Sequence, residues 1–193
     1  MATTVEQKRA LRRTLRQRLS AMTTEERKSA SARIRAHLAA LLPQVPQSVA
    51  SFAGLSDEPD LMPLSFEPPP GTQHLAWHFP LVSGDDIQLF RVHSPHDLNT
   101  GAFQIREPDP QRCEPVAIAD INLILVPGFG FDPETGYRIG RGKGFYDRFL
   151  ASARSDVRLI GIGFDCQLTK VPTEPHDVPL HAVMTESGLL TFR

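Results

Sequence analysis

Three cationic side chains stand among four glycines in segment 136–144, a combination suited to binding a phosphate group. The cations are Arg138, Arg141 and Lys143, and the glycines occupy positions 136, 140, 142 and 144. Glycines let successive backbone N–H groups turn toward one concavity, and cationic side chains neutralise an anion bound there. The alternative is a solvated loop in which the glycines only form turns.

The spacing of these glycines matches neither of two familiar nucleotide-binding patterns. A P-loop needs Gly at position 137 and Ser or Thr at position 144, where this chain has Tyr137 and Gly144. The Rossmann pattern places its glycines directly after a strand, whereas residues 127–135 separate this loop from the predicted strand before it. We therefore expect a phosphate site of another kind.

The segments on either side of the loop predict how it is positioned. The apolar run 121–126, interrupted only by Asn122, is typical of a buried strand, and Pro127 and Gly128 end it. A helix is predicted to begin near Phe145. A strand, a basic glycine-rich loop and a helix start thus follow one another along the chain.

The same stretch resembles a known family signature. PGFGFD at 127–132 and GYRIGRGKGFYDRFL at 136–150 are similar to the signature of the 5-formyltetrahydrofolate cyclo-ligase family, which closes a folate ring at the expense of ATP and uses magnesium. Phe145 departs from the signature, which usually has Tyr there. The resemblance implies ATP-dependent conversion of 5-formyltetrahydrofolate to 5,10-methenyltetrahydrofolate. The alternatives are an enzyme on the same scaffold that acts on another small acid and a non-catalytic nucleotide-binding paralogue.

The first predicted helix brings further cations to this chemistry. Leu11, Leu15 and Leu19 recur every fourth residue and form an apolar stripe. Lys8 and Arg12 fall beside that stripe, while Arg9 and Arg13 point away from it. Spacing alone leaves two options open for Lys8 and Arg12: contact with phosphate, or solvated cations that extend past the stripe. The resemblance implies the first, because the family has a Lys-x-x-x-Arg pair that contacts ATP.

The resemblance also implies roles for individual residues. Arg141 and Lys143 act on the migrating phosphoryl group, and Tyr146 either bonds substrate or only anchors its helix. The ATP site comprises Lys8, Arg9, Ala10, Leu11, Arg12, Arg138, Ile139, Gly140, Arg141, Gly142, Lys143, Gly144, Phe145 and Tyr146. The folate site comprises Ala53, Glu58, Phe103, Arg141, Gly142, Lys143, Gly144 and Phe145. Magnesium is assigned to Asp147 and Asp177, although helix capping and turn formation explain these two residues equally well.

The remaining patterns predict an α/β fold in a single domain, residues 1–193. A capping box at Thr23 and Glu26 begins a second helix that Pro43 ends. Strands are predicted at 48–53, 74–79 (ended by Pro80), 87–92, 157–164 and 181–185, with a hairpin across 84–86. These alternations indicate a mainly parallel sheet with an antiparallel portion and helices on both faces.

Composition limits the class of protein. The chain has 193 residues, 40% of them hydrophobic and 22% charged, with a formal net charge of -1. Two cysteines are too few for a disulfide framework, and no apolar run reaches membrane-spanning length. Residues 1–40 hold ten Lys or Arg and three Glu, which first suggests an RNA-binding arm, but the leucine stripe indicates a packed helix. We expect a cytoplasmic monomer that binds a reduced folate, without nucleic acid or membrane partners.

Overall fold

The computed structural model describes residues 3–101 and 105–192, which fold around one large central sheet. The helices are α1 (Thr4–Ala21), α2 (Thr24–Leu41), α3 (Met62–Phe66) and α4 (Phe145–Ala151). The strands are β1 (Ser48–Ala50), β2 (Ala76–Ser83), β3 (Asp86–Val92), β4 (Leu98–Thr100), β5 (Arg106–Pro108), β6 (Pro115–Val116), β7 (Leu123–Pro127), β8 (Gly130–Phe131), β9 (Arg138–Ile139), β10 (Arg158–Ile162), β11 (Ala182–Thr185) and β12 (Gly188–Thr191).

The central sheet has eight strands in the order β12-β11-β10-β7-β1-β2-β3-β6. Its five inner strands, from β11 to β2, run parallel, while β12, β3 and β6 pair antiparallel with their neighbours. Two small two-stranded sheets, β4-β5 and β8-β9, lie outside it. The predicted mainly parallel sheet with an antiparallel hairpin is confirmed.

Strand β7 shows why helices cover both faces of the sheet. Leu123 and Leu125 belong to the core that contains the leucines of α1 and the apolar residues of α2. Ile124 and Val126 point the opposite way, into the core that contains Phe149 of α4. Successive strand side chains alternate between faces, so a continuous apolar run needs apolar partners on each side. The prediction of helices on both faces is confirmed.

Capping boxes fix the beginnings of the two long helices. Thr3 caps α1 and Thr23 caps α2, each paired with the glutamate three residues later. The box at Thr23 was expected from the sequence. Helix α2 ends at Leu41, and Pro43 lies in a single 3-10 turn that follows it. Within the described residues, no helix is both long enough and apolar enough to span a bilayer.

Several predicted strand boundaries differ by one or two residues from those observed, and two differ by more. The first strand ends at Ala50 rather than at residue 53. The second continues through Pro80 to Ser83. Pro80 is tolerated because β1 pairs with β2 only as far as His78, so beyond that residue β2 has its partner β3 on one side. A proline that cannot donate a ladder hydrogen bond is acceptable at such an edge.

Candidate active site

The glycine-rich segment divides into a buried half and an exposed half. Arg138 and Ile139 form β9, which pairs with β8, and both residues are buried. Residues 140–144 then form an open loop in which Arg141 and Lys143 are exposed. Gly142 and Gly144 have φ values of 111° and 69°, which other residues rarely adopt. These backbone conformations explain why glycine stands at both positions, and they agree equally with a phosphate-binding loop and with a simple turn.

Arg138 is a buried guanidinium with spare hydrogen-bonding capacity. Its side chain is 2% exposed, and its Nη2 donates to Oδ1 of Asp147 across 2.9 Å. Its Nε has no hydrogen-bond partner among the described residues. Burial lowers the pKa of Arg138, although the charge of Asp147 opposes that shift. A buried donor without a partner is uncommon in folded proteins, so Arg138 keeps one hydrogen-bond donor unused.

Arg141 joins the glycine-rich loop to the turn after β1. Its Nη2 lies 2.6 Å from Oδ1 of Asp57 and 3.0 Å from Oε1 of Glu58. Burial by itself would lower the pKa of Arg141. The hydrogen bonds to Asp57 and Glu58 and their negative charges outweigh that effect and raise the pKa. The Cζ of Arg141 also lies 4.9 Å from the centroid of the Phe129 ring. The structure thus brings the predicted phosphate loop and the predicted folate residue Glu58 together.

Sequence reasoning missed two features of the turn after β1: the ion pair of Asp57 with Arg141 and the hydrogen bond that orients Glu58. Glu58 is only 10% exposed in its side chain, and its Oε2 accepts a hydrogen bond from the backbone N–H of Leu55 at 3.0 Å. That bond closes the turn and fixes the carboxylate beside Arg141. Ala53, another predicted folate residue, is half-buried just before the turn and packs on the core.

Helix α1 presents Lys8 and Arg12 to the same region, as its periodicity predicted. Lys8 Nζ lies 2.7 Å from Asp177 Oδ2 and 2.8 Å from Glu174 Oε2. Burial would lower the pKa of Lys8, but the bonds to these two carboxylates raise it. The Nε of Arg12 donates to the carbonyl oxygen of Gly140 across 2.8 Å, and burial lowers the pKa of Arg12.

The rest of the predicted Lys8–Arg12 segment divides as an amphipathic helix requires. Arg9 and Ala10 are exposed, as is Arg13 beyond the segment, whereas Leu11 is half-buried against the core. Glu174, which sequence reasoning missed, is the second carboxylate on Lys8. Its only signal was its place in the same short acidic loop as Asp177.

Asp147 and Asp177, the predicted magnesium ligands, both interact with Arg138. Asp147 bonds Arg138 directly, and the charge of Asp177 also acts on that guanidinium. Ligand atoms of Glu174, His176 and Asp177 lie within 4.8 Å of one another. Carboxylate oxygens are the donors that magnesium prefers. Asp147 is not part of this group: its Oδ1 accepts a hydrogen bond from Arg138, while Lys8 pairs with Asp177.

Tyr146 and Phe145 occupy the first turn of α4. The Tyr146 ring packs edge-on against Phe149, with centroids 6.0 Å apart, and Arg138 Cζ lies 5.8 Å from its centroid. Burial, and then the charge of Glu58, raise the pKa of Tyr146, so its hydroxyl stays protonated at neutral pH. Phe145 lies beside Lys143, whose Nζ is 5.6 Å from the ring centroid. Phe103, the predicted aromatic cover for the folate, lies outside the described residues.

Comparisons with known proteins identify the family of this chain. Residues 4–186 match the profile of the 5-formyltetrahydrofolate cyclo-ligase family. The Escherichia coli K12 protein named 5-formyltetrahydrofolate cyclo-ligase is 28% identical over 179 residues, which cover 90% of this chain and 97% of that protein. The mouse protein of the same name is 29% identical, with 94% of each chain covered.

A solved structure supports the same assignment. The NMR structure of Aquifex aeolicus 5,10-methenyltetrahydrofolate synthetase superposes with a TM-score of 0.77 at 31% identity, covering 95% of this chain and 92% of that one. A Mycoplasma pneumoniae structure of the same name has a TM-score of 0.72 at 23% identity, a likeness that shows the fold alone. With the family profile matched over nearly its whole length, the chain belongs to the 5-formyltetrahydrofolate cyclo-ligase family.

Proposed function

We propose that this protein converts 5-formyltetrahydrofolate to 5,10-methenyltetrahydrofolate, with cleavage of ATP to ADP and phosphate. The main support for the proposal is that α1, β9 and the turn after β1 all contact or adjoin the glycine-rich loop. Arg12 of α1 bonds the carbonyl of Gly140, Arg138 lies at the base of the loop, and Arg141 bonds Glu58 in the turn after β1. Cations for a triphosphate and a carboxylate for a pterin are thus adjacent.

The cationic half supports phosphoryl transfer. Such a reaction depends mainly on positioning and on neutralising charge on the transferring group. Arg138 supplies a fixed guanidinium with an unused Nε, and Lys8 and Arg12 supply charge from α1. Arg141 and Lys143 extend from the exposed loop and would reach the migrating phosphoryl group. In this proposal they act on the group while Arg138 and α1 hold the rest of the nucleotide.

The carboxylate half supports recognition of the folate. A pterin presents an amino-pyrimidine edge of donors, and a fixed carboxylate accepts hydrogen bonds from it. Glu58 is oriented by the Leu55 N–H and is almost buried, so it meets this requirement. Its contact with Arg141 puts the folate beside the group that handles phosphate.

The chemistry then proceeds on the substrate. The formyl oxygen of 5-formyltetrahydrofolate is a poor leaving group until it receives the terminal phosphoryl group of ATP. The activated carbon becomes electrophilic, nitrogen 10 attacks it and loses its proton to solvent, and phosphate departs as the ring closes. Arg141 and Lys143 would stabilise the charge on the transferring group and on the departing phosphate. Tyr146, kept protonated, can donate a hydrogen bond but cannot serve as a base.

In this proposal Asp147 and Asp177 would hold magnesium, since carboxylate oxygens are the donors that it prefers. When bound, the ion would supply charge neutralisation at the nucleotide phosphates. Lys8 and Arg138 hold the two carboxylates in place in its absence.

We also propose that the protein is cytoplasmic and acts as a monomer. Both cysteines are free thiols, which agrees with a reducing compartment. Size-exclusion chromatography with light scattering would test the monomer, and a mass near twice 21.4 kDa would reject it.

The test is turnover by the purified protein. We expect growth of the near-ultraviolet absorbance of the methenyl product that requires ATP, magnesium and 5-formyltetrahydrofolate together. ATP cleavage measured in parallel should match product one to one. Calorimetric binding of ATP without any product would reject the proposed substrate.

A further inference from the structure

The cationic edge of α1 extends one turn beyond the pair that the family signature predicts. Lys8, Arg12 and Arg16 recur every fourth residue, so their side chains lie along one side of the helix. Each makes a contact at the site: Lys8 with Glu174 and Asp177, Arg12 with Gly140 and Arg16 with the ring of Phe129. At 1.5 Å per residue, Arg16 lies about 12 Å along the axis from Lys8.

Arg16 differs from the other two cations in what balances its charge. Lys8 contacts two carboxylates, and Arg12 donates to a carbonyl oxygen. Among the described residues, Arg16 forms no ion pair, and its recorded contact is with the Phe129 ring, whose centroid lies 5.7 Å from its Cζ. An exposed guanidinium held in place by a ring keeps its donors free for an anion.

Phe129 places Arg16 on the folate side of the site. Arg141 lies over the same ring, with its Cζ 4.9 Å from the centroid, and Arg141 bonds Glu58. Arg141 is already paired with Asp57 and Glu58. Of the two arginines over Phe129, Arg16 is therefore the one without an anionic partner among the described residues. The nucleotide residues Lys8 and Arg138 lie toward the other end of the row.

We infer that Arg16 binds a carboxylate of the glutamate tail of the folate substrate. This inference rests on the proposed function, since that substrate carries a pterin at one end and carboxylates at the other. With the pterin held at Glu58, the tail must leave toward solvent, and Arg16 is the exposed cation beside Phe129 and Arg141. Phe129 is 2% exposed, so its ring supports the two guanidiniums rather than stacking on the ligand.

The experiment compares Arg16→Ala with Arg13→Ala, a matched change of an exposed arginine on the same helix that lies away from the site. Loss of a charge-assisted hydrogen bond should raise KM for 5-formyltetrahydrofolate about 3- to 10-fold in Arg16→Ala. KM for ATP should not change. Arg16→Lys should recover part of the loss because it keeps the charge. Arg13→Ala should behave as the wild type.

A second substrate identifies the bonded group. In a 5-formyltetrahydrofolate whose two glutamate carboxylates are converted to amides, Arg16→Ala and the wild type should have the same KM. An equal loss with this diamide, an unchanged KM with the natural substrate, or a raised KM for ATP would each overturn the inference.

Binding measured without ATP separates this inference from the proposed function. The calorimetric Kd for 5-formyltetrahydrofolate should be 3- to 10-fold higher in Arg16→Ala than in the wild type, which is about the same factor as for KM. If the wild type binds the folate without turning it over, the proposed function fails while the ratio still decides the role of Arg16. A wild type and an Arg16→Ala variant with equal Kd would reject that role.

Discussion

Arg138 and Arg141 are three residues apart in one segment, yet they belong to different kinds of structure. Arg138 lies in β9, is 2% exposed and pairs with Asp147 in the next helix. Arg141 lies in the open loop, is 39% exposed and pairs with Asp57 and Glu58, over eighty residues earlier in the chain. One cation is part of the packed framework, and the other is held at the surface by ion pairs.

The difference indicates a division of labour within the site. A buried ion pair costs several kcal/mol when one partner is removed, because the other charge is left desolvated. A half-exposed pair contributes about 1 kcal/mol or less, since solvent screens it. The Arg138 pair is therefore expected to matter mainly for folding, whereas the Arg141 pairs can be altered at small cost in stability. The following variants test this contrast, from the largest expected effect to the smallest.

Arg138→Met should have the largest effect on folding. It leaves the Asp147 carboxylate without its buried partner, and we expect the free energy of unfolding to fall by about 3 kcal/mol or more. Urea unfolding followed by circular dichroism measures the change. Arg158→Met, on an exposed arginine of β10, is the control and should change stability by about 0.5 kcal/mol or less. Equal effects in the two variants would show that the Arg138 pair is not a framework contact.

Lys143→Ala should leave the fold intact and remove activity. Lys143 is exposed in the loop, so truncation should change the free energy of unfolding by about 0.5 kcal/mol or less. Loss of a cation on the transferring group should lower kcat about 100-fold or more. The rate of methenyl product formation and a urea titration check both parts. A near-normal kcat would remove Lys143 from the mechanism.

Asp132→Asn tests the turn that holds β9 against β8. Burial alone would raise the pKa of Asp132, but hydrogen bonds from the backbone N–H groups of Glu134, Val171 and Thr135 lower it below its ordinary value. Its contribution to stability is thus present above the unfolded pKa, about 4, and is lost as pH falls through the folded value. The variant should be destabilised by about 1–3 kcal/mol at pH 7.

The pH dependence of the stability of Asp132→Asn tests whether the pKa of Asp132 is lowered in the folded protein. Because the amide does not titrate, stability should fall less between about pH 5 and pH 2 in Asp132→Asn than in the wild type. Urea midpoints at several pH values would show it. Parallel curves for the two proteins would mean that Asp132 has no lowered pKa.

Asp57→Asn should have the smallest effect on stability of these variants but should change KM for the substrates. The exposed fraction of the Arg141 and Asp57 side chains limits the loss to about 1 kcal/mol or less. The matched control is Asp156→Asn, which breaks a surface pair with Arg154 at 3.1 Å. Both variants should unfold at similar urea concentrations, but only Asp57→Asn should alter KM for substrates. Unchanged KM values would show that Asp57 does not position Arg141.

Local sequence patterns were sufficient for the elements whose cause is local. The capping box at Thr23, the leucine stripe of α1 and the alternating environment of β7 each follow from helix or strand periodicity. The same periodicity placed Lys8 and Arg12 at the edge of α1 and Arg9 and Arg13 in solvent. The predicted strand ends at residue 53 and before Pro80 were wrong because a strand's length depends on where its neighbours in the sheet end. The sequence of one strand does not contain that information.

The partners of the charged side chains depended on contacts between distant segments. The sequence by itself determined that cations and glycines would crowd residues 136–144 and that α1 would carry a cationic edge. Only the tertiary structure decided that Lys8 meets Glu174 and Asp177, and that Arg141 meets Asp57 and Glu58. Periodicity reports which way a side chain points, whereas the identity of its partner depends on the order of strands in the sheet, which brings the ends of remote segments together.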